Sequence, residues 1–372
     1  MFFYYSLFLL FFFLSFFDIE KAKTGIKTTV YFIVVGLLVL MSGLRWKTGT
    51  DWDLYYYYFT MYDSFSEFNN GQFEILYSAY TFLVKSFTDS YSVFLLISAS
   101  LIIGIKAVML RKLEPFFMVC LFAYYALYLG DLFSVRQSLA ISFSLISLYY
   151  IIQQKKIYFL ISVIIATLIH NSAVVLVLAY PIFYLKINNK ATVLIIVLSL
   201  LIGISGVMNP LLSKFQFLIE GFGGVDSERI SGKLDTYTTE ASASKIDSKV
   251  AFLISALRRI IILPVILYFR KDLKSAVYNG YVNLFTFSNV IFFTLSQVSI
   301  VFVRFTSYFT VIEILIIASV IRVQKDKRKR FLLLLFFAVY MASRLFVSLN
   351  TYLDLYDPYY WIFDKYIPRI PY

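Results

Sequence analysis

Apolar runs of membrane-crossing length constrain this 372-residue chain more than any other feature. They lie at 2–17, 28–44, 91–110, 115–130, 134–152, 191–208, 250–269, 279–300, 305–321 and 331–349. About 20 apolar residues carry a helix across the hydrocarbon, where the backbone must satisfy its own hydrogen bonds. A further stretch, 157–185, is too long for one upright span and is interrupted by His170-Asn171-Ser172, so it reads as a hairpin of two short or tilted helices. Residues 73–88 are few and include Lys85, which places them as an interfacial or re-entrant helix. The fold class expected is all-α: a polytopic membrane protein of about twelve transmembrane helices, with 1–372 as a single transmembrane domain. Residues 2–17 show no basic n-region and no small-residue cleavage site, so they are expected to remain as a span.

Composition closes off the soluble classes. The chain is 60% hydrophobic and 15% charged, against about 45–50% and about 25% in ordinary soluble domains. Its one cysteine, Cys120, excludes a disulfide scaffold and any zinc site built on paired cysteines. The net charge of +12 is a matter of topology, because of where the charge sits. One set of loops holds 18 Lys and Arg against Asp18, Glu20, Glu114, Asp272 and Asp326, while the opposite loops are acidic on balance. Short cytoplasmic loops carry the basic excess, so the basic set is assigned inside and both termini outside. No nucleic-acid partner is implied.

Three segments fall on the outer face: loops 45–90 and 209–249 and the tail 350–372. Loops of such length are commonly functional. A charge near the bilayer centre costs about 2.5–3.5 kcal/mol even on gentle scales, so embedded ionisable groups need a partner or a role. Arg258 and Arg259 lie mid-span, Arg136 starts a span beside Asp131, Arg304 lies between two spans, Arg344 is near the end of the last, and Glu313 is an acid inside a span. Boundary arginines often anchor to headgroups, and Arg258 or Arg259 pairing with Glu313 is a structural alternative. Yet several arginines on one side also suit an anionic pyrophosphate headgroup, which guanidinium binds in a bidentate, always-charged geometry.

His170, the one histidine, is placed at the outer turn of the hairpin. It is either a satisfied structural residue or a group able to activate or orient a sugar hydroxyl. Asp51-Trp52-Asp53 has the Asp-x-Asp form by which many glycosyltransferases hold a divalent metal, but three residues are weakly specific and the neighbouring tyrosines suit an aromatic belt equally well.

Taken in order, Gly43-Leu44-Arg45, Gly49-Thr50-Asp51 with Tyr55, Arg136-Gln137 with Ala140, Ala166 to His170 with Ser172-Ala173, and Arg304 with Tyr308-Phe309 resemble the EpsG family of Wzy-type polysaccharide polymerases. The resemblance implies a GT-C-like glycosyltransferase of the bacterial plasma membrane. Such an enzyme joins undecaprenyl-pyrophosphate-linked oligosaccharide repeat units into O-antigen, capsule or exopolysaccharide on the periplasmic or extracellular face. It implies His170 or Asp51 as the base and Arg136, Arg304 and Arg45 on the pyrophosphate, with Gln137 beside them and Arg229, Lys233 and Tyr237 carried over from loop 209–249. Asp53 falls outside the family pattern, which weakens the metal reading, so no cofactor is expected. The partners implied are the lipid-linked oligosaccharide, the bilayer, a chain-length regulator and a flippase. Two other classes share parts of the pattern: a lipid-linked oligosaccharide flippase, which Arg258-Arg259 would suit, and an outer-face transferase of a single sugar or acyl group.

Overall fold

The computed structural model describes residues 1–20, 22–69, 71–208, 249–296, 300–364 and 366. They are mainly helical; among them there is no strand, and Arg45 and Trp361 form an isolated antiparallel bridge. Six helices of this set are long and apolar enough to cross a membrane: Phe2–Ile19, Thr24–Gly43, Tyr91–Leu113, Phe252–Leu273, Phe302–Val323 and Lys327–Thr351. Shorter apolar helices accompany them at Phe117–Leu127, Lys156–Ile169, Asn171–Phe183 and Asn189–Ser205. Among the described residues, several of the apolar stretches counted toward the expected twelve hold shorter helices. Run 115–130 holds only Phe117–Leu127, about 16 Å of helix at 1.5 Å per residue. Residues 73–88 form the short helix Ile75–Lys85, and 157–185 breaks at His170 into Lys156–Ile169 and a segment that begins as a 3₁₀ turn.

The chain divides into two compact units, Met1–Val177 with Ile314–Tyr372, and Leu178–Glu313. In the first, Thr24–Gly43 packs along Tyr91–Leu113, which packs on Arg136–Ile152, which packs on Lys156–Ile169. Hydroxyl groups tie these neighbours together: Tyr31 donates to the Ala107 carbonyl at 2.7 Å, Ser142 to that of Ile102 at 3.2 Å, and Ser147 meets Ser162 at 2.7 Å. Helices in lipid lack a hydrophobic drive toward one another, so small hydroxyl-bearing residues that permit close approach carry much of the association. Phe117–Leu127 is the core of this unit, with all of its residues buried.

The loops of the first unit gather at two ends. At one, Lys27 pairs with Asp18 and donates to the Pro115 carbonyl, Arg322 meets Glu114 at 2.6 Å, and Lys327 meets Glu20 at 2.5 Å. These are loops that charge assigns to one side. At the other end the segment 355–362 lies along 44–49, through Trp46 N–H to Tyr360 O, Gly49 N–H to Leu355 O and Ile362 N–H to Leu44 O.

In the second unit Ala276–Leu295 packs against Asn189–Ser205, Ile300–Thr310 and Ala179–Phe183. Two glycines set the closeness: a Cβ at Gly203 would lie 2.1 Å from the Phe293 carbonyl oxygen, and one at Gly280 2.3 Å from the Phe183 ring. The Arg259 guanidinium lies 3.7 Å from the centre of the Phe292 ring, a cation–π contact that softens its desolvation.

Candidate functional site

A break in the core of the first unit creates the site. Helix Phe117–Leu127 stops at Tyr128, a short turn of helix follows over Leu129–Phe133, Ser134 is extended, and a new helix starts at Arg136. Broken backbone is tolerated at membrane depth only where protein surrounds it. Here a buried ion pair fixes it. Lys106, fully buried within Tyr91–Leu113, pairs with Asp131 and donates to Ser138 Oγ at 2.7 Å, while the Tyr124 hydroxyl donates to Asp131 Oδ2 at 2.8 Å. One lysine thus joins the turn before the break to the first turn of the helix after it. That helix has Val135 at its N-cap, which offers no side-chain acceptor to the first-turn amides. Its positive end therefore stands beside the Arg136 side chain.

Arg136 is held by three neighbours. Its Nη1 lies 2.9 Å from Glu74 Oε2, its guanidinium sits 4.5 Å from the centre of the Phe73 ring, and the Tyr55 hydroxyl lies within its electrostatic reach. The other oxygen of Glu74 accepts the Asn171 backbone N–H at 3.0 Å. Glu74 stands at the N-cap of Ile75–Lys85, and it links Arg136 to the turn that carries His170. That histidine ends helix Lys156–Ile169 in extended conformation, is 7% exposed, and has Nδ1 2.8 Å from Ser172 Oγ. The hydroxyl fixes the ring's direction.

Arg45 follows the span Thr24–Gly43 and is 2% exposed. It donates to the backbone carbonyls of Thr48 at 3.2 Å, Phe133 at 2.8 Å and Ser42. Burial pulls its pKa below the usual guanidinium value. With its donors spent on main chain, Arg45 clamps loop 45–49 to the start of the Arg136 segment. Gly49, at φ +102° with Phe133 Cβ 3.0 Å from where a Cβ would stand, permits the tight turn there. The turn delivers Asp51 to the start of helix Trp52–Met61, within electrostatic reach of Arg45 and Tyr55. Burial pushes the Tyr55 hydroxyl up to about 12, so it stays neutral at physiological pH. Beneath lies an aromatic cluster that includes Trp52, Tyr55, Tyr58, Phe68, Phe73 and Tyr77. Trp52 stacks on Tyr56 at 4.9 Å, and Tyr56 and Tyr57 are exposed.

The first unit thus brings together Arg45, Asp51, Arg136, Gln137 and His170, from positions more than 100 residues apart in sequence. Gln137 is half-buried beside Arg136, and Asp53 is exposed on helix Trp52–Met61. Arg304 lies in the second unit, exposed on helix Ile300–Thr310. Arg229, Lys233 and Tyr237 lie outside the described residues. Among those described, no group of three or more His, Cys, Asp or Glu side chains is arranged to hold a metal ion. Sequence reasoning passed over Glu74 and Lys106. The available signal for Lys106 was a charge inside an apolar run; for Glu74 there was only an acid just before a short helix.

The EpsG family model matches residues 28–361, a range that contains every element of this site. The chain belongs to the EpsG family. It is accordingly a Wzy-type polymerase-like membrane protein, of a kind associated with polysaccharide biosynthesis. No curated protein and no solved structure matches it.

Proposed function

We propose that this EpsG-family protein is a polysaccharide polymerase of the bacterial plasma membrane, acting on undecaprenyl-pyrophosphate-linked oligosaccharide at its outer face. The observation that carries the reading is the constellation at the start of helix Arg136–Ile152: a guanidinium at an uncapped helix N-terminus, linked by Glu74 to the turn that holds His170. A helix N-terminus and an arginine together are a ready site for phosphate oxygens.

In this reading the growing glycan on its lipid pyrophosphate is the donor, and one lipid-linked repeat unit is the acceptor. The acceptor's hydroxyl oxygen attacks the donor's anomeric carbon, the bond from that carbon to the pyrophosphate oxygen breaks, and undecaprenyl pyrophosphate leaves. Its developing charge falls on Arg136 and the first-turn amides of that helix, the preorganised kind of stabilisation that contributes most to catalysis. His170 takes the hydroxyl proton, with Asp51 as the other candidate base. Glu74 keeps the Arg136 guanidinium in place until phosphate shares it, and Arg45 is a positioning residue. The exposed Tyr56 and Tyr57 give sugar rings faces to stack on. Arg304, Arg229, Lys233 and Tyr237 stand on the family resemblance alone. The same reading takes about twelve crossings, a GT-C-like arrangement and both termini outside, and it uses no metal.

Purified protein given lipid-linked repeat unit and no nucleotide sugar should produce a ladder in steps of one repeat, and Arg136→Ala should produce none at equal abundance. A single added sugar, or transported but unlengthened lipid, would overturn the proposal.

A further inference from the structure

The second unit holds a cavity of about 670 Å³ formed by the loop 183–189 and the ends of helices Leu263–Leu273 and Ala276–Leu295. Its lining includes Lys186, Arg270 and Lys271 and contains no carboxylate. In the loops of the first unit, Lys27, Arg322 and Lys327 each have an acid within ion-pair distance, whereas Arg111 and Arg330 have none among the described residues. None of the three cavity cations forms an ion pair with a described residue. Arg270 is oriented entirely by neutral acceptors: Nε to Asn279 Oδ1 at 2.7 Å, Nη1 to Asn189 Oδ1 at 3.3 Å, and Nη2 to the Ile187 carbonyl. Those bonds fix the guanidinium in space without cancelling its charge.

The surroundings add to the same potential. Asn189 and Ala276 are the first residues of two long helices, Asn189–Ser205 and Ala276–Leu295, whose first turns are capped by the Asn188 and Ser275 side chains and whose dipoles put partial positive charge at this end. Phe183 and Leu185 supply apolar wall beside the cations. A fixed guanidinium, two ammonium groups and an apolar wall are the chemistry of a phosphate that carries an acyl tail, and basic pockets between membrane helices take such headgroups.

We propose that this cavity binds the phosphate of an anionic ligand, offered by a lipid headgroup or by soluble phosphate, at a site separate from Arg136 and His170. The inference does not rest on the polymerase reading, since it uses no residue of that site.

The test uses the full-length protein in phosphatidylcholine nanodiscs, with binding of labelled phosphatidylglycerol measured at constant ionic strength. Wild type should bind phosphatidylglycerol in preference to labelled phosphatidylcholine. Lys186→Gln/Lys271→Gln, which leaves the Arg270 hydrogen bonds intact, should weaken that binding about 25-fold, at about fivefold per charge. Arg270→Gln tests the fixed guanidinium, with a thermal midpoint to show that the protein is folded. Millimolar inorganic phosphate separates the sources: displacement of the label shows that free phosphate fills the site, and resistance to it assigns the site to lipid. Equal binding of the two lipids with no effect of phosphate on the midpoint would overturn the inference. So would unchanged phosphatidylglycerol binding by the folded double variant.

Discussion

Asp131→Asn changes one atom and leaves the Lys106 ammonium without a counter-charge in the middle of a membrane helix. Lys106 is fully buried, and its described hydrogen-bond partners are Asp131 and Ser138. Breaking a buried pair from one side costs about 3–5 kcal/mol, whereas exchanging both partners for neutral groups is often close to neutral. Asp131→Asn should therefore lose about 3–5 kcal/mol in detergent-driven unfolding of the purified protein. The double variant Lys106→Met/Asp131→Asn should return to within about 2 kcal/mol of wild type. The coupling has a functional reach, because Lys106 also holds Ser138 in the first turn of the helix that begins at Arg136. Asp131→Asn should thus shorten polymer in proportion to its loss of fold, with the double variant partly restored. Additive losses in the two single variants, or an Asp131→Asn protein within about 1 kcal/mol of wild type, would refute the reasoning.

Three further outcomes follow from the geometry. Glu74→Gln keeps an acceptor for the Asn171 N–H but removes the charge facing Arg136, and it should lower the polymerisation rate about 10- to 100-fold at normal abundance, measured by product ladders from quantified membranes. Gly43→Ala places a Cβ 2.7 Å from the Leu96 backbone and should destabilise the packing of Thr24–Gly43 on Tyr91–Leu113 by about 1–3 kcal/mol, while Gly36→Ala, with open space around it, should be tolerated; thermal midpoints compare the two. Addition of EDTA should leave product lengths unchanged, and Asp53→Ala should polymerise normally; a ladder lost with EDTA would restore Asp51 and Asp53 as metal ligands.

Much of the architecture was legible because its cause is local. Apolar run length marks the helices whatever their partners are, and the break at His170 is visible where polar residues interrupt such a run. In the first unit the loops of Lys27, Glu114 and Arg322, which loop charge groups together, meet at one end. The helix Phe117–Leu127 was less legible, since an apolar run does not reveal that its backbone turns at Tyr128 and is enclosed by protein. The site was half legible. Arg136 and His170 stand out as isolated ionisable groups near spans, but Glu74, which joins them, lies 62 residues from Arg136 in sequence. Lys106 and Asp131 are 25 residues apart. Pairings at such distances leave no periodicity to read. Arg45 shows the converse: its sequence setting fits headgroup binding, and only the fold discloses that main-chain carbonyls take its donors.

The central claim is that Arg136, tied by Glu74 to the His170 turn, forms the site where lipid-linked glycan is lengthened. The most direct measurement is a side-by-side incubation of purified wild type, Arg136→Ala and His170→Ala with the lipid-linked repeat unit, without nucleotide sugar, and with products resolved by size. The account predicts a regular ladder from wild type and only unextended substrate from both variants at matched folded concentration. Wild-type ladders from Arg136→Ala would contradict it.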